Sequence, residues 1–386
     1  MNFFVKESYG VIWHFYHNSH GICFCRMKDE NISEYQVLLP EGQEDFDVLI
    51  DDSDCIHLVC QNIDGDIVYI NHFNGQWRKA TLLKAKTSSN YRKDFSVKRV
   101  NNWLNLFYCI EYNGKRMLTY QIIDNTDATP YVIDCIKGDF YTAQDSLGNM
   151  YLLFYSEANR TWGIKKYIWS KKEWTEFESV SELEGCKSAF LYIDGDDKMH
   201  IVYNLNSGIM EYFDGSAEMV GTGQNPVMLF QNHEIIMWEG VCDNKIYIKR
   251  RGENAPTVFM PGGFSKPVKY RLRYTCYEPN LKAECCFGNI VNGTVRTYGV
   301  NNFFAVAEKP PVPSAGSHEN HSDTSDADTA YLEIRKMKIQ LSQMSMVLDK
   351  IQSRLENIDI EKINRRLDEI EGAVNKNTRP RLFNLL

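Results

Sequence analysis

The sequence DDSDCIHLVC at residues 51–60 has a counterpart, DGDDKMHIVY, at residues 194–203. Each stretch begins with an acidic turn and ends in an apolar run. Each is followed by a glycine-containing loop and a second run with β-branched or other apolar residues. Asp and Gly suit tight turns, while β-branched and aromatic side chains suit a pleated, packed surface. Each stretch therefore predicts a β-hairpin.

Apolar runs of this kind recur along the first three-quarters of the chain. Successive runs end 44 to 49 residues apart, except for one interval of 35 residues, at Tyr16, Cys60, Tyr108, Tyr155, Tyr203, Trp238 and Phe287. One complete unit contains four predicted strands, at residues 46–50, 55–61, 67–73 and 77–83. A repeat of roughly 40–50 residues with four strands is the period of a β-propeller blade.

The repeat predicts an all-β fold, a β-propeller at residues 1–304. Seven blades fit the count best, and six stay open because of the short interval and a weak last unit at residues 269–304. A long β-sandwich or a tandem of small β-domains is the competing fold, since strand spacing alone permits it. The propeller is favoured because the whole four-strand unit recurs.

The composition changes after Phe304. Residues 305–330 are rich in Pro, Ser and Asp and predict a disordered linker. Residues 331–375 predict a coiled-coil oligomerisation helix, because apolar residues alternate steps of three and four. These residues are Ile334, Met337, Leu341, Met344, Leu348, Ile351, Leu355, Ile358, Ile363, Leu367, Ile370 and Val374. The register slips near Asp359, which fits either one continuous, locally distorted coiled coil or two hinged helices.

The predicted helix has two alternative roles. As a coiled coil it would join copies of this chain, with a trimer or tetramer at least as plausible as a dimer. As a single amphipathic helix it would instead fold back on the propeller. The apolar C-terminal tail at residues 376–386 suits docking either in another protein's groove or on its own bundle.

Composition and charge exclude several classes of partner. The 386 residues carry a net charge of −8, and an acidic chain repels phosphate backbones, so no nucleic-acid partner is predicted. No apolar stretch approaches the roughly 20 residues that span a bilayer, and the start lacks a signal-peptide pattern. The 11 scattered cysteines predict a reducing, cytoplasmic environment in which most of them are small buried hydrophobes.

The sequence contains no recognised catalytic or cofactor motif. A Walker loop, a dinucleotide fingerprint, a His-Glu-x-x-His zinc helix and a Gly-x-Ser-x-Gly elbow are all missing. His57 and His200 occupy equivalent places in two repeats, which favours a structural role copied with the blade. The acidic turns lack the distal carboxylate of a calcium loop and are interpreted as hairpin turns. No catalytic residue, metal ligand or cofactor is therefore predicted.

One repeat resembles a blade of the sialidase-like and lectin-like β-propellers. The resemblance lies in the acidic turn, IHLV at 56–59, GDIVY at 65–69 and NGQW at 74–77, and it extends loosely over residues 1–304. It implies a propeller fold. The Asp-box turn of that family, Ser-x-Asp-x-Gly-x-Thr-Trp, is not intact in any blade, and the sialidase arginine cluster and Tyr/Glu pair have no recognisable counterpart. Sialidase activity is therefore not implied.

The favoured hypothesis is a non-catalytic, multivalent binding or scaffold protein. Its propeller would recognise a glycan or a protein through loops on one face, and its coiled coil would make several weak sites act together. The candidate ligand-binding residues lie in or beside loops between second and third strands: His20, Asn62, Asp64, Tyr112, Asn159, Trp162, Asn204 and Asn206.

Two alternatives come from other classes of protein. A glycoside hydrolase or lyase would require two acids, or an acid and a Tyr, that converge in the axial pocket of the propeller. A purely structural assembly protein would use the propeller as a docking platform and the coil and tail to recruit partners.

Overall fold

The computed structural model describes residues 1–300 apart from short segments. Those segments are 9, 29–30, 74, 87–90, 101–102, 124–128, 242, 260–267, 275–280, 292–293 and 299. The chain divides into two compact units, Met1–Gly316 and Ser317–Leu386. The predicted linker, the coiled-coil residues from Ile334 to Val374 and the C-terminal tail all lie outside the described residues, so these expectations stay predictions.

The described strands form seven consecutive antiparallel meanders, numbered here as blades 1 to 7 in chain order. In blades 1 and 2 the turns between consecutive strands are short, which is why the sequence reads as hairpins. Blade 1 consists of β1 (Asn2–Lys6), β2 (Ile12–Asn18), β3 (Gly21–Lys28) and an outer strand in two parts, β4 (Asn31–Ile32) and β5 (Gln36–Leu39). Blade 2 consists of β6 (Gly42–Ile50), β7 (Ile56–Asn62), β8 (Ile67–Phe73) and β9 (Gln76–Leu83).

Blades 3 and 4 share one long strand. β13 (Tyr131–Gln144) pairs with β12 in its first part and with β14 in its second part. The pairing passes from β12 to β14 between Cys135 and Ile136. A β-bulge follows between Lys137 and Phe140 and contains Gly138, whose φ of 78° is costly for a residue with a Cβ atom. The other strands are β10 (Ser96–Val100), β11 (Trp103–Tyr112), β12 (Lys115–Ile122), β14 (Met150–Ser156), β15 (Thr161–Ile168), β16 (Glu173–Trp174) and β17 (Glu178–Ser179).

A 3₁₀ turn at Ser181–Leu183 leads into blade 5. Blade 5 consists of β18 (Ser188–Ile193), β19 (Met199–Leu205), β20 (Gly208–Phe213) and β21 (Ser216–Thr222). Blade 6 consists of β22 (Gln224–Gln231), β23 (His233–Glu239), β24 (Ile246–Arg250) and β25 (Thr257–Phe259). Blade 7 consists, in the described residues, of β26 (Val268–Tyr274), β28 (Cys285–Val291) and β29 (Thr294–Tyr298), with the short β27 (Leu281–Lys282) pairing with blade 6.

The first strands of neighbouring blades lie beside one another around a common axis. β1 contacts β6 and β26, β6 contacts β10, and β18 contacts both β13 and β22. β1 and β26 pair in parallel, from Phe3 opposite Arg271 to Lys6 opposite Tyr274, and this ladder joins the first and last blades. Antiparallel meanders arranged radially around an axis define a β-propeller, so the predicted all-β propeller class is confirmed.

The hydrophobic core lies between the blades. Adjacent residues of a second strand point to opposite faces: Leu58 lies in the cluster between blades 1 and 2, and Val59 in the cluster between blades 2 and 3. In the same way, Val202 packs against blade 6 and Tyr203 packs against blade 4. The repeated apolar runs of the sequence are therefore second strands that are buried on both faces.

The acidic turns also tie neighbouring blades together. The main-chain N–H and the hydroxyl of Ser8 donate to the two carboxylate oxygens of Asp54, at 2.9 and 2.5 Å. Ser146 of blade 4 makes the same pair of hydrogen bonds to Asp197 of blade 5. Asp54 and Asp197 both have positive φ, as turn residues do. The acidic stretches are thus hairpin turns, as predicted, and they fasten one blade to the next.

The short interval before Trp238 has two causes. The outer half of blade 5 is compact, because β20 and β21 fill residues 208–222 and β22 begins at Gln224. The second cause is the turn that follows β22. β22 and β23 are joined at Asn232 alone, whose φ of 60° closes a tight turn between Gln231 and His233. The acidic turn that lengthens blades 2, 4 and 5 is missing at this point of the chain. The interval therefore marks a shortened blade and not a missing one.

The cysteines and the hydropathy agree with the sequence analysis. Nine cysteines fall in the described residues; all nine are free thiols, and seven of them are buried. Among the described residues, no helix is long and apolar enough to cross a membrane.

Candidate functional site

A wide cavity opens on the propeller axis, at the ends of the first strands. It has a volume of about 780 Å³. Its walls come from the carboxyl ends of five innermost strands, β6, β10, β13, β18 and β26, and from residues 281–284. Because the first strands of all blades run in one direction along the axis, their ends and the turns that follow meet there. We call this space the axial cavity.

The axial cavity is lined by paired charges. Lys98 Nζ lies 2.5 Å from Glu284 Oε1, and Arg99 Nη1 lies 3.2 Å from Asp52 Oδ2. Lys282 Nζ donates to the main-chain oxygen of Asp194 at 2.9 Å. The enclosed position of Glu284 opposes its ionisation, but Lys98 and Arg273 outweigh that effect and hold its pKa below the usual value. The wall thus offers fixed cationic donors beside fixed anionic acceptors.

Tyr192 contributes a buried hydroxyl to the same wall. The residue is 3% exposed, and its hydroxyl oxygen has no hydrogen-bond partner in the described structure. Burial raises the pKa of this phenol, and the nearby Tyr274, Asp194, Glu234 and Glu284 raise it further. Tyr192 is therefore protonated at neutral pH and can donate a hydrogen bond. A buried polar group without a partner is costly, and a ligand in the cavity would satisfy this covered hydroxyl only after a small outward shift of the wall.

A narrower cavity of about 130 Å³ lies at the opposite end of the first strands. Lys269, Arg271 and Arg273 alternate along β26 and all line it. The two cavities share Leu191, Arg273 and Glu284, so they adjoin each other along the axis, and we refer to the two together as the axial channel. Arg273 pairs with the buried Asp47, with 3.0 Å between Nη2 and Oδ1, and this pair crosses the channel wall between blades 7 and 2.

The two repeated histidines each fix an acidic turn. In blade 2, Asp51 Oδ1 accepts hydrogen bonds from two turn N–H groups, and Asp51 Oδ2 lies 3.3 Å from His57 Nε2. The other ring nitrogen, Nδ1, lies 2.7 Å from the hydroxyl oxygen of Tyr69. Asp194 and His200 repeat this geometry in blade 5, with 3.2 Å between Oδ2 and Nε2. The predicted structural role of these histidines is thus supported by their contacts.

His200 differs from His57 in the number of carboxylates around it. Its Nδ1 lies 3.0 Å from Glu211 Oε1, and its Nε2 lies 3.7 Å from Glu234 Oε1 of blade 6. Burial alone would lower the pKa of His200, but the hydrogen bonds to Glu211 and Asp194 and the charge of Glu234 raise it overall. The ring is 0% exposed and stacks on Phe213.

The loop residues predicted to bind ligand lie at the other ends of the blades. In an antiparallel meander the turns after first strands and after second strands are at opposite ends, so these residues do not line the axial cavity. His20, Asp64, Tyr112, Asn159 and Asn206 are exposed on those turns. Ligand binding by these five residues stays a prediction.

Three of the predicted loop residues are buried instead. The Asn62 side chain accepts hydrogen bonds from the main-chain N–H groups of Asp64 and Asp66. The Asn204 amide donates to the main-chain oxygen of Gly223 at 2.6 Å. Trp162 lies in the core between blades 4 and 5. The structure thus gives these three residues roles in turns and packing.

The residues that line the axial cavity were not predicted from the sequence. Tyr192, Lys98 and Glu284 come from different blades, and no local motif joins them. One signal was available: Lys269, Arg271 and Arg273 place three cations on one face of a strand that would otherwise be buried. Charges at alternate positions of an innermost strand indicate a polar channel.

Comparison with known proteins gives structural neighbours only. No family model and no curated protein matches the chain. A fungal lectin from Aleuria aurantia, described as a six-bladed β-propeller that recognises fucose, has 10% identity and a TM-score of 0.43 over 68% of this chain and 96% of that chain. An ulvan lyase bound to a GlcA(1-4)Rha3S saccharide has 11% identity and a TM-score of 0.48 over 76% and 90%.

An α-L-arabinanase from Penicillium chrysogenum in complex with arabinobiose has 7% identity and a TM-score of 0.42 over 65% and 94%. The neighbours are thus a propeller lectin and carbohydrate-active enzymes at low identity, in agreement with the loose propeller resemblance of the sequence.

Proposed function

We propose that this protein is a non-catalytic carbohydrate-binding protein whose propeller takes a saccharide into the axial cavity. The observation that carries the proposal is the cavity, whose volume of about 780 Å³ lies within the roughly 300–1,000 Å³ typical of small-ligand sites. A concave site of this size suits a short oligosaccharide better than the face of a folded protein.

The chemistry of the wall supports a saccharide. Each sugar hydroxyl both donates and accepts hydrogen bonds, so its site needs donors and acceptors side by side. Lys98 with Glu284 and Arg99 with Asp52 supply such pairs at several points of the wall. Tyr192 adds a neutral donor without a protein partner. We therefore favour the axial cavity over the loop face as the carbohydrate-binding site. The exposed loop residues are the alternative site.

The substitution Tyr192→Phe tests this site. Because the buried hydroxyl has no protein partner, its removal is expected to stabilise the fold, by about 1 kcal/mol. If the hydroxyl bonds to a saccharide, the same change is expected to weaken binding about tenfold. Calorimetric titration of the full-length protein with a panel of neutral and acidic oligosaccharides would measure the affinity, and thermal unfolding would measure the stability.

The matched control is Tyr112→Ala on the exposed loop face. Axial binding predicts that this change leaves affinity unaltered. A loss of affinity in Tyr112→Ala with no change in Tyr192→Phe would move the site to the loops and contradict the proposal. Failure of every oligosaccharide to bind the wild-type protein would also contradict it.

A glycoside hydrolase or lyase that uses the same cavity is the second candidate. Tyr192 and Glu284 favour it specifically, since both line the axial cavity and an enzyme would need an acid and a Tyr there. The raised pKa of Tyr192 counts against proton abstraction by this residue, because the phenol keeps its proton at neutral pH. Turnover of saccharides that survives repurification and disappears in Tyr192→Phe would favour the enzyme over the binding protein.

The proposal extends to multivalency through residues 331–375. A coiled coil would place several axial cavities in one particle, and sites that are weak alone would then bind together. We expect light scattering of the full-length chain to give an oligomer, and the substitution Leu348→Asp at a seam position to give a monomer. A wild-type chain that scatters as a monomer at high concentration would remove multivalency from the proposal and leave axial binding untouched.

A further inference from the structure

We propose that Asp194, His200 and Glu234 form a binding site for a divalent transition-metal ion of the zinc class, between blades 5 and 6. No motif in the sequence signals this site, because the third ligand comes from a different blade. The inference does not depend on carbohydrate binding. It rests on the distances between donor atoms, on the contacts of each carboxylate oxygen, and on a comparison with the equivalent histidine of blade 2.

Two of the three donor-atom distances are close to those around one ion. With zinc–ligand bonds of roughly 2.0–2.1 Å, neighbouring ligand atoms of a tetrahedral site lie roughly 3.3 Å apart. His200 Nε2 is 3.2 Å from Asp194 Oδ2 and 3.7 Å from Glu234 Oε1, and the three donors lie within 4.8 Å of one another. A charge-assisted hydrogen bond would typically be about 2.7–2.9 Å long, so the 3.7 Å between His200 Nε2 and Glu234 Oε1 is too long for one and matches a shared ion better.

In both Asp194 and Glu234, one carboxylate oxygen contacts other groups and the second oxygen faces the imidazole of His200. Asp194 uses Oδ1 for the N–H groups of its turn, which leaves Oδ2 facing His200. Glu234 uses Oε2 for Arg251, which leaves Oε1 facing His200. Oxygen donors that are held in place by their second oxygen are the usual arrangement of carboxylate ligands in metal sites.

Glu211 supplies the outer contact that metal-bound histidines need. Its Oε1 lies 3.0 Å from His200 Nδ1, the ring nitrogen that points away from the proposed ion. A histidine ligand generally donates its other N–H to a carboxylate or carbonyl group, and this contact fixes the tautomer with a free Nε2. The Phe213 ring, stacked at 4.3 Å between centroids, holds the imidazole plane.

The equivalent histidine in blade 2 lacks these features. His57 has Tyr69 in the place of Glu211. The oxygen that faces His57, Asp51 Oδ2, also lies 3.9 Å from the Arg99 guanidinium, so a cation already competes for it. Asp51, Cys55 and His57 also lie within 4.8 Å of one another, but the third donor there is a cysteine of the same turn and not a carboxylate of the next blade. The two sites came from the same repeat, and blade 5 alone has two additional carboxylates around its histidine.

The Glu234 side of the site lies closest to the surface. The Glu234 side chain is 16% exposed, and a depression of about 130 Å³ is lined by Glu211, Glu234 and Arg251. Asp194 also lines the axial cavity on its other side. The side chain of Asp194 would therefore separate the proposed ion from the axial cavity, and the ion would lie outside that cavity.

The test is metal binding by the untagged, full-length protein after treatment with a chelator. Calorimetric titration with Zn²⁺ is expected to show a saturable site, and Co²⁺ in its place is expected to give the visible absorption of a tetrahedral centre. Glu234→Gln keeps the volume of the side chain and removes one ligand, so it is expected to weaken binding at this site at least tenfold and to abolish the tetrahedral Co²⁺ spectrum. Because Glu234 is partly exposed, this variant is expected to fold, which circular dichroism would verify.

Two further variants locate the ion. Glu253→Gln removes one negative charge from the same depression without touching the donors, and His57→Gln alters the equivalent turn in blade 2; both are expected to keep the affinity. Three results would each overturn the proposal: no saturable Zn²⁺ binding by the wild-type protein, equal weakening in Glu234→Gln and Glu253→Gln, or loss of binding in His57→Gln alone.

Discussion

The substitution Asp47→Asn is expected to lower the free energy of unfolding by about 3–5 kcal/mol, since it leaves two guanidinium groups without their buried counter-charge. Asp47 is 0% exposed. Its Oδ1 lies 3.0 Å from Arg273 Nη2 and 3.6 Å from Arg271 Nη1, and its Oδ2 accepts the main-chain N–H of Val97 at 2.7 Å. One side chain thus links blades 2, 3 and 7. Chemical denaturation of the full-length protein would measure the loss.

The control for Asp47→Asn is Glu41→Gln, which breaks a half-exposed ion pair with Lys79. An exposed pair contributes about 0–1 kcal/mol, so this variant is expected to stay close to the wild type. A second change, Arg273→Met in the Asp47→Asn background, is expected to recover part of the loss because it removes the unpaired cation. If Asp47→Asn destabilised the protein no more than Glu41→Gln, the buried pair would not hold the ring together.

The substitution Gly223→Ala is expected to destabilise the fold by about 3 kcal/mol, at the upper end of typical overpacking. Gly223 joins blades 5 and 6, and the Trp238 ring packs directly against it. An added Cβ atom would lie 2.2 Å from Trp238 Cδ1 and 2.4 Å from the main-chain oxygen of Glu239. A rotamer change cannot move the main-chain oxygen, so the strand itself must shift.

Gly195→Ala is the matched control for Gly223→Ala. A Cβ atom at this position meets nothing within 4 Å, so the substitution is expected to change the melting temperature little. Thermal unfolding of both variants beside the wild type is the measurement. Similar melting temperatures for the two variants would show that the close packing of Trp238 on Gly223 does not limit stability.

The propeller could be predicted from the sequence because its blades are built from local contacts that repeat. Leu58 with Val59 and Val202 with Tyr203 each place neighbouring residues on two buried faces, and that pattern is visible as an apolar run. The four strands of the quoted unit were predicted within a few residues of their observed bounds, with β6 beginning earlier, at Gly42. Short antiparallel turns fix the order of such strands.

The candidate site could not be predicted in the same way, because its residues converge from different blades. Tyr192 and Glu284 are 92 positions apart in the sequence, and only ring closure brings them to one cavity. The metal-ligand role proposed for His200 could not be predicted from the repeat either. A histidine that recurs in two blades was interpreted as a copied structural residue, but the carboxylate of Glu234 comes from the next blade and has no equivalent beside His57.

The long strand β13 has a consequence for how the ring can deform. It hydrogen-bonds to β12 and to β14, so blades 3 and 4 form one continuous sheet, which makes an arc of the ring. The pairings of β1 with β26 and of β22 with β27 tie blades 6, 7 and 1 into a second arc. In the described part of the chain, blades 2 and 5 are joined to these arcs without a strand ladder. We therefore expect small changes in the diameter of the ring to occur mainly by displacement of blades 2 and 5. The width of the channel would change as those two blades move.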